Sequence, residues 1–208
     1  TVILVSRSGE TVEVTKLLPI LKERKATVIG VTNVPDSTLA SSSTQAVCLH
    51  SPADQLVAIQ TYTATLIVLL LLGAAFSGEL DANLLSELDL TATQLSSWIP
   101  TCFELKNSWG AFLEPRSPLY LLGRGASLAS VAAGVLVLQE VAKAAAIGMP
   151  AANFRHGPVE VVDEQFRGII FGSLSHTADL NAALAEDVSA IGGTLRWIGA
   201  PVLGRKVV

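Results

Sequence analysis

Cysteine and charge are both scarce in this chain of 208 residues, and each shortage excludes something. The two cysteines, Cys48 and Cys102, share no pairing motif and have no histidine cluster near them. That argues against a disulfide framework and a zinc site, and it suits a reducing cytoplasm. Charged residues make up 15% of the chain and the formal net charge is −4. A nucleic-acid surface needs clustered Lys and Arg, and no such cluster is present. No signal peptide is visible. The longest apolar run, LIVLLLLGAAF at 66–76, is too short to cross a bilayer alone. Gln60, Thr61, Tyr62, Thr63 and Thr65 make the extended segment amphipathic, so the sequence predicts a buried helix in a soluble protein.

Half of the residues are apolar, enough for a sizeable core in one domain or two small ones. Low charge with a positive mean hydropathy fits parallel strands covered on both faces, and a large subunit interface.

The strongest signal is an internal repeat. Residues 2–14 read VILVSRSGETVEV and residues 168–180 read GIIFGSLSHTADL, an offset of about 166 residues. In each, a β-branched run breaks into small hydroxylated residues and opens a helix-forming segment. A second apolar run follows at the same distance, TVIGVTN at 27–33 and TLRWIGA at 194–200. The second copy is preceded by a further strand-loop-helix unit, to which the residues given before Val2 hold no counterpart. The first copy is followed by AVCLH and a long apolar helix, whereas little follows Ala200. The comparison predicts a chain lacking roughly one supersecondary unit at each end.

Strands are expected at 2–5, 27–32, 46–50, 119–122, 168–173 and 194–198. Helices are expected at 10–24, kinked at Pro19, through about 53–107 with a break near Gly78, and at 127–146 and 179–191. Glu114, Pro115, Arg116, Ser117 and Pro118 mark the boundary between a first domain at 1–114 and a second at 115–208. Alternating strands and helices predict α/β layers built on parallel sheets. The polar loops then fall at the C-terminal sheet edges, where such folds bind ligands.

Four groups of residues stand out. Ser6, Arg7, Ser8 and Thr11, with Gly9 between them, offer hydroxyls and close backbone approach to a phosphate monoester at a helix start. The loop lacks the Lys of a Walker P-loop and the spacing of GxGxxG. It also reads as a capped helix with Ser8 at the N-cap. Gly123, Arg124 and Gly125 form a tight turn against a ligand or a site of close helix packing. Glu140 ends a helix with no charge between Ala126 and Leu138, a helix expected to be buried along most of its length. It lies about 20 Å along that helix from Ser127, so a hexose phosphate held near Glu140 must be anchored by another loop. The alternative is a surface pair with Lys143. His156, between Arg155 and Gly157-Pro158, is placed on a rigid turn suited to proton transfer, or is a structural turn residue. His50 and His176 carry no expectation beyond loop polarity.

In that order, SRSGET, LGRG, LQE and FRHGP resemble the sugar isomerase (SIS) domain family, above all the tandem-domain isomerase half of glutamine–fructose-6-phosphate aminotransferase. The resemblance covers essentially the whole chain. It implies two tandem SIS domains, each a parallel five-stranded sheet flanked by helices in a flavodoxin-like three-layer sandwich, forming a cytoplasmic homodimer without metal or organic cofactor. It implies that Ser6, Arg7, Ser8 and Thr11 hold a sugar phosphate. It further implies that Glu140 moves a proton between C1 and C2, and that His156 opens the sugar ring from across the dimer interface. Ala133 and Val137 stand where the aminotransferase has a second glutamate and a lysine, and residues 58–60 replace its serine-threonine-lysine stretch. The 208 residues contain no glutaminase domain. What the resemblance then implies is a phosphosugar isomerase, or an amino-sugar phosphate deaminase or deglycase. The alternative is a non-catalytic sugar-phosphate sensor.

Overall fold

A computed structural model of the chain describes residues 1–113, 118–172, 177–200 and 202. These fall into two compact units, Thr1–Ser96 and Ser97–Val208. Glu114, Pro115, Arg116 and Ser117, where the sequence places the domain break, lie outside the described residues.

The first unit is built on a three-stranded parallel sheet of β1 (Val2–Val5), β2 (Val28–Thr32) and β3 (Gln45–Cys48), in the order β1-β2-β3. All five residues of β2 are buried. A middle strand covered on both faces has no position for a solvated side chain, which accounts for the unbroken VIGVT. The helix expected over 10–24 is divided into α1 (Val12–Thr15) and α2 (Leu17–Glu23). Pro19 has no N–H to offer the Thr15 carbonyl, so the ladder is interrupted one turn before it. Leu4, Leu18 and Val28 pack with Leu39 of α3 (Thr38–Ser42) to form the core of this unit.

The long apolar segment forms α4 (Gln60–Ser77), which ends at Gly78 in the left-handed conformation (φ 76°). Residues 53–59, expected as helix, are not helical. They instead carry Asp54, whose carboxylate accepts the amides of Ile59, Gln60 and Thr61 and the Thr61 hydroxyl. A carboxylate on the exposed donors of a helix N-terminus is stabilised by both the hydrogen bonds and the dipole. The expectation of a buried helix is corrected. Only Thr61 and Ala74 of α4 are buried, while Leu66, Ile67, Leu69 and Leu70 are exposed. By length and composition alone, α4 is apolar enough to cross a membrane. The next helix, α5 (Ala82–Glu104), contains the division between the units and is followed by α6 (Lys106–Leu113).

The second unit has four parallel strands: β4 (Leu119–Gly123), β5 (Ala146–Pro150), β6 (Arg167–Phe171) and β7 (Thr194–Ile198), in the order β5-β4-β6-β7. Successive residues of a strand face opposite ways, so Leu121 and Ile169 enter one core while Leu122 and Ile170 enter another. Val131 of α7 (Ser127–Glu140) and Phe112 of α6 cover the first face. Phe154 of α8 (Ala151–Arg155) and Leu184 and Val188 of α9 (Ala178–Ile191) cover the second. The sequence missed β5. Its AIGMP follows an alanine-rich helical run; the helix expected over 127–146 takes in Ala146 and no element is expected at 147–150, yet the segment pairs with β4 from Leu119↔Ala146 to Gly123↔Pro150. At Gly148 a Cβ would meet Val131 and Val135 within 3.0 Å, so the glycine lets α7 lie close to the edge strand. Helix α7 is also less covered than expected: only Val131 is buried, and Leu136 and Val137 are exposed.

The four hydrogen bonds to Asp54 hold its pKa down from 3.8 to about 2, the Thr61 hydroxyl contributing most. A lowered carboxylate pKa stabilises the fold above the ordinary value, and that contribution is lost as pH falls towards the lowered one. Asp54→Asn is therefore expected to unfold at lower denaturant than the parent at neutral pH, with the difference shrinking as pH falls from about 4 to about 2. Urea titrations across that range check it, and a constant difference would contradict it.

Candidate functional site

The hydroxylated loop after β1 is held from behind by the loop after β2. The Asn33 amide and the Thr32 hydroxyl both donate to the Arg7 carbonyl, at 2.9 and 3.2 Å, and the Leu39 amide donates to the Gly9 carbonyl at 3.0 Å. Glu10 accepts the Thr38 amide at 2.6 Å and the Thr38 hydroxyl at 2.8 Å, which hold its carboxyl below the usual range. Gly9 has φ +69°, and a Cβ there would lie 2.0 Å from the Ser37 Oγ. Only glycine meets both conditions. Thr32, Ser37 and Thr38 are supporting residues that the sequence reading missed, because their partners lie on a neighbouring strand's loop.

Inside the loop, the buried Ser6 Oγ is 2.7 Å from the Thr11 Oγ1 and accepts the Gly9 amide at 3.1 Å. Ser8 is exposed, and its Oγ accepts the Glu10 amide at 3.2 Å. Ser8 is thus not the N-cap: Thr11 is the residue before α1, and its hydroxyl is engaged with Ser6 rather than with a helix amide. The Arg7 Nη1 is 4.0 Å from Asp54 Oδ2, with the Arg7 side chain half exposed and the Asp54 side chain 3% exposed. All four residues expected to hold phosphate are gathered on one turn at the C-terminal end of β1. Glycine, hydroxyls and a guanidinium there can receive an anion with little rearrangement. A hollow of about 610 Å³ in the same unit lies beside Leu18, Pro19 and Ser42, and none of these four residues lines it.

The corresponding loop after β6 includes Ser173, Leu174, Ser175 and His176, which lie outside the described residues. Glu140 ends α7 and is exposed, and Lys143 donates to its backbone carbonyl at 2.6 Å. Lys143 thus terminates the helix. His156 is exposed at the C-cap of α8, its amide donating to the Asn153 carbonyl at 3.1 Å. No hydrogen bond or ion pair joins Glu140 to His156. The His156 turn is fixed on each side of Arg155. Arg155 pairs with Asp187 of α9. Phe154 is fully buried, with its ring 5.5 Å from Tyr120 and 5.6 Å from Phe166. Among the described residues, no three His, Cys, Asp or Glu side chains gather closely enough to hold a metal ion.

Truncating a buried phenylalanine costs about 3–5 kcal/mol. Phe154→Ala is expected to lower stability by that amount and to loosen the His156 turn, read by denaturant melts and by faster amide exchange at Arg155 and His156. Unchanged exchange at those two amides would show that the turn is held without Phe154.

Comparison with known proteins follows the same lines. Residues 1–75 match the SIS domain family model. The glutamine–fructose-6-phosphate aminotransferase [isomerizing] of Pyrobaculum aerophilum is 32% identical over 198 residues, an alignment covering 91% of this chain and 32% of that protein. The chain spans about a third of the length of the aminotransferases it matches. Two solved structures share the fold at lower identity. The C-terminal domain of glucosamine-fructose-6-phosphate aminotransferase from Francisella tularensis superposes with a TM-score of 0.78 at 20% identity, covering 94% of this chain and 57% of that one. Glucosamine-6-phosphate deaminase from Thermotoga maritima gives 0.75 at 22%, covering 95% and 60%. Residues 1–75, with the hydroxylated loop after β1, thus belong to the SIS domain family, and the chain as a whole shares the fold of parallel sheets flanked by helices with these relatives.

Proposed function

We propose that this chain is the tandem SIS-domain part of a cytoplasmic, homodimeric phosphosugar enzyme: an aldose–ketose isomerase, or a deaminase or deglycase of an amino-sugar 6-phosphate. The division reads as one SIS domain at 1–114 and a second at 115–208. The observation that carries the reading is the braced loop after β1, where Ser6, Arg7, Ser8 and Thr11 are presented together on a turn that only Gly9 permits. The match of residues 1–75 to the SIS domain and the similarity to isomerizing aminotransferases support it. In this reading the loop anchors the 6-phosphate and His156 assists ring opening. Glu140 then takes the proton from one of C1 and C2 and returns it to the other through an enediol or enolamine. No metal or organic cofactor enters the sequence. A carboxylate used in this way works best when desolvated near its substrate. Glu140 is exposed in the single chain, as are Leu136, Val137 and Val141 around it. A second copy covering this apolar end of α7 would dry the carboxylate and bring a partner histidine, which supports a dimeric site. Exposed leucines on α4 and α5 support the same assembly.

The second reading is a sugar-phosphate sensor. Ala133 and Val137 stand where the aminotransferase pattern has charged residues, and a binder needs the loop but not the carboxylate.

Deuterium incorporation separates the two. In D₂O with fructose 6-phosphate, glucosamine 6-phosphate or fructosamine 6-phosphate, the enzyme is expected to introduce deuterium at C1 or C2 of at least one sugar. Glu140→Gln should abolish the exchange and leave phosphate binding within about twofold. Exchange at the parent rate in that variant would remove Glu140 from the mechanism, and binding without exchange in the parent would establish the sensor.

A further inference from the structure

The order β5-β4-β6-β7 contains a reversal. From β4 the chain crosses by α7 to β5 on one side, then returns by α8 to β6 on the other. Neighbouring strands whose crossovers leave in opposite directions open a crevice at their C-terminal ends, and α/β sheets bind ligands there. In the second unit that crevice lies between the ends of β4 and β6, and Arg124 follows β4 directly.

Arg124 is fastened there by one edge. Its Nε donates to Asn181 Oδ1 at 2.9 Å, while Asn181, fully buried, donates from Nδ2 to the Phe171 carbonyl at 3.1 Å. The two Nη groups have no hydrogen-bonding partner among the described residues, and no carboxylate pairs with the guanidinium. The nearby Arg155 has its charge answered by Asp187, whereas Arg124 has no carboxylate against it among the described residues. Partial burial, and then the charge of Arg155, make its protonated form less favourable than in water. The amides of Ser127, Leu128 and Ala129 are already bonded to the carbonyls of Arg124, Gly125 and Ala126, so the helix start contributes little and recognition rests on the guanidinium. Gly125 has φ +56° with nothing within 4 Å of where a Cβ would stand, leaving open space beside it.

We propose that this crevice is a second anion site, in which the two Nη groups of Arg124 hold a phosphate monoester. A guanidinium anchored through Nε presents its remaining donors as a fork that matches two phosphate oxygens. The site is separate from the chemistry assigned to Glu140, which lies at the far end of the 14-residue α7, about 20 Å away along the helix axis. Its occupant is therefore an effector or a second phosphorylated molecule rather than the phosphate of a sugar in contact with Glu140.

The test uses the full chain carrying Ser6→Ala, Ser8→Ala and Thr11→Ala, so that the loop after β1 contributes as little as possible. Inorganic phosphate and fructose 6-phosphate are titrated by calorimetry and by ³¹P NMR. This background is expected to retain binding of both, and adding Arg124→Gln should weaken it about tenfold or more. Should Arg124→Gln fail to fold, Gly125→Asp serves instead. Aspartate tolerates a positive φ, and its carboxylate beside the guanidinium is expected to suppress binding similarly. No phosphate binding in the triple variant, or binding that a folded Arg124→Gln or Gly125→Asp leaves unchanged, overturns the site. The comparison between variants reads the second unit alone, so it holds whether or not the first loop binds phosphate.

Discussion

Parallel strands all end at the same edge of their sheet, and each must return through a crossover on one face before the next can begin. That constraint arranges this protein. It collects the polar loops at the C-terminal edges and buries the middle strands on both faces. It also makes the loops support one another, because neighbouring strands deliver them side by side. The loop after β1 has its shape because the loop after β2 emerges beside it and answers its carbonyls. Arg124 after β4 meets Asn181 because α9 starts just beyond the end of β6, where the Asn181 amide reaches the Phe171 carbonyl.

The two units use that edge differently. In the first, hydroxyls and backbone dominate and the nearby cation is shared: Arg7 lies beside Asp54, which is itself occupied with the N-terminus of α4. A neutral, preorganised turn of this kind favours an anion through many weak donors. In the second, one guanidinium is clamped by a buried amide and has no carboxylate partner among the described residues. Its recognition depends on a single strong, directional group. Exposed apolar side chains lie on α4, on α5 and, separately, at the far end of α7, and the proposed dimer is the assembly that would cover them.

Much of this was legible beforehand. The strands expected at 2–5, 27–32, 168–173 and 194–198 form at 2–5, 28–32, 167–171 and 194–198, because these runs are short, bounded by turn residues and flanked by helical periodicity. That Ser6, Arg7, Ser8 and Thr11 share one turn was equally readable, because they lie within six residues of one another. The AIGMP strand was not. Its residues follow an alanine-rich helical run and become a strand only because β4 offers an unpaired edge that Gly148 lets α7 approach closely. Asp54 was also invisible, since its partners are backbone amides five to seven residues away and its role depends on where α4 begins.

By itself the sequence determined the alternation of strands and helices, the repeated hydroxylated loop and the family pattern, because each rests on residues adjacent along the chain. The tertiary structure decided the strand order with its reversal and the split of the first helix at Lys16. It also decided the exposure of α4 and α7, and the pairing of Arg124 with Asn181 across 57 positions. These depend on which segments meet in space, and apolar periodicity records only that a face is to be covered, not what covers it.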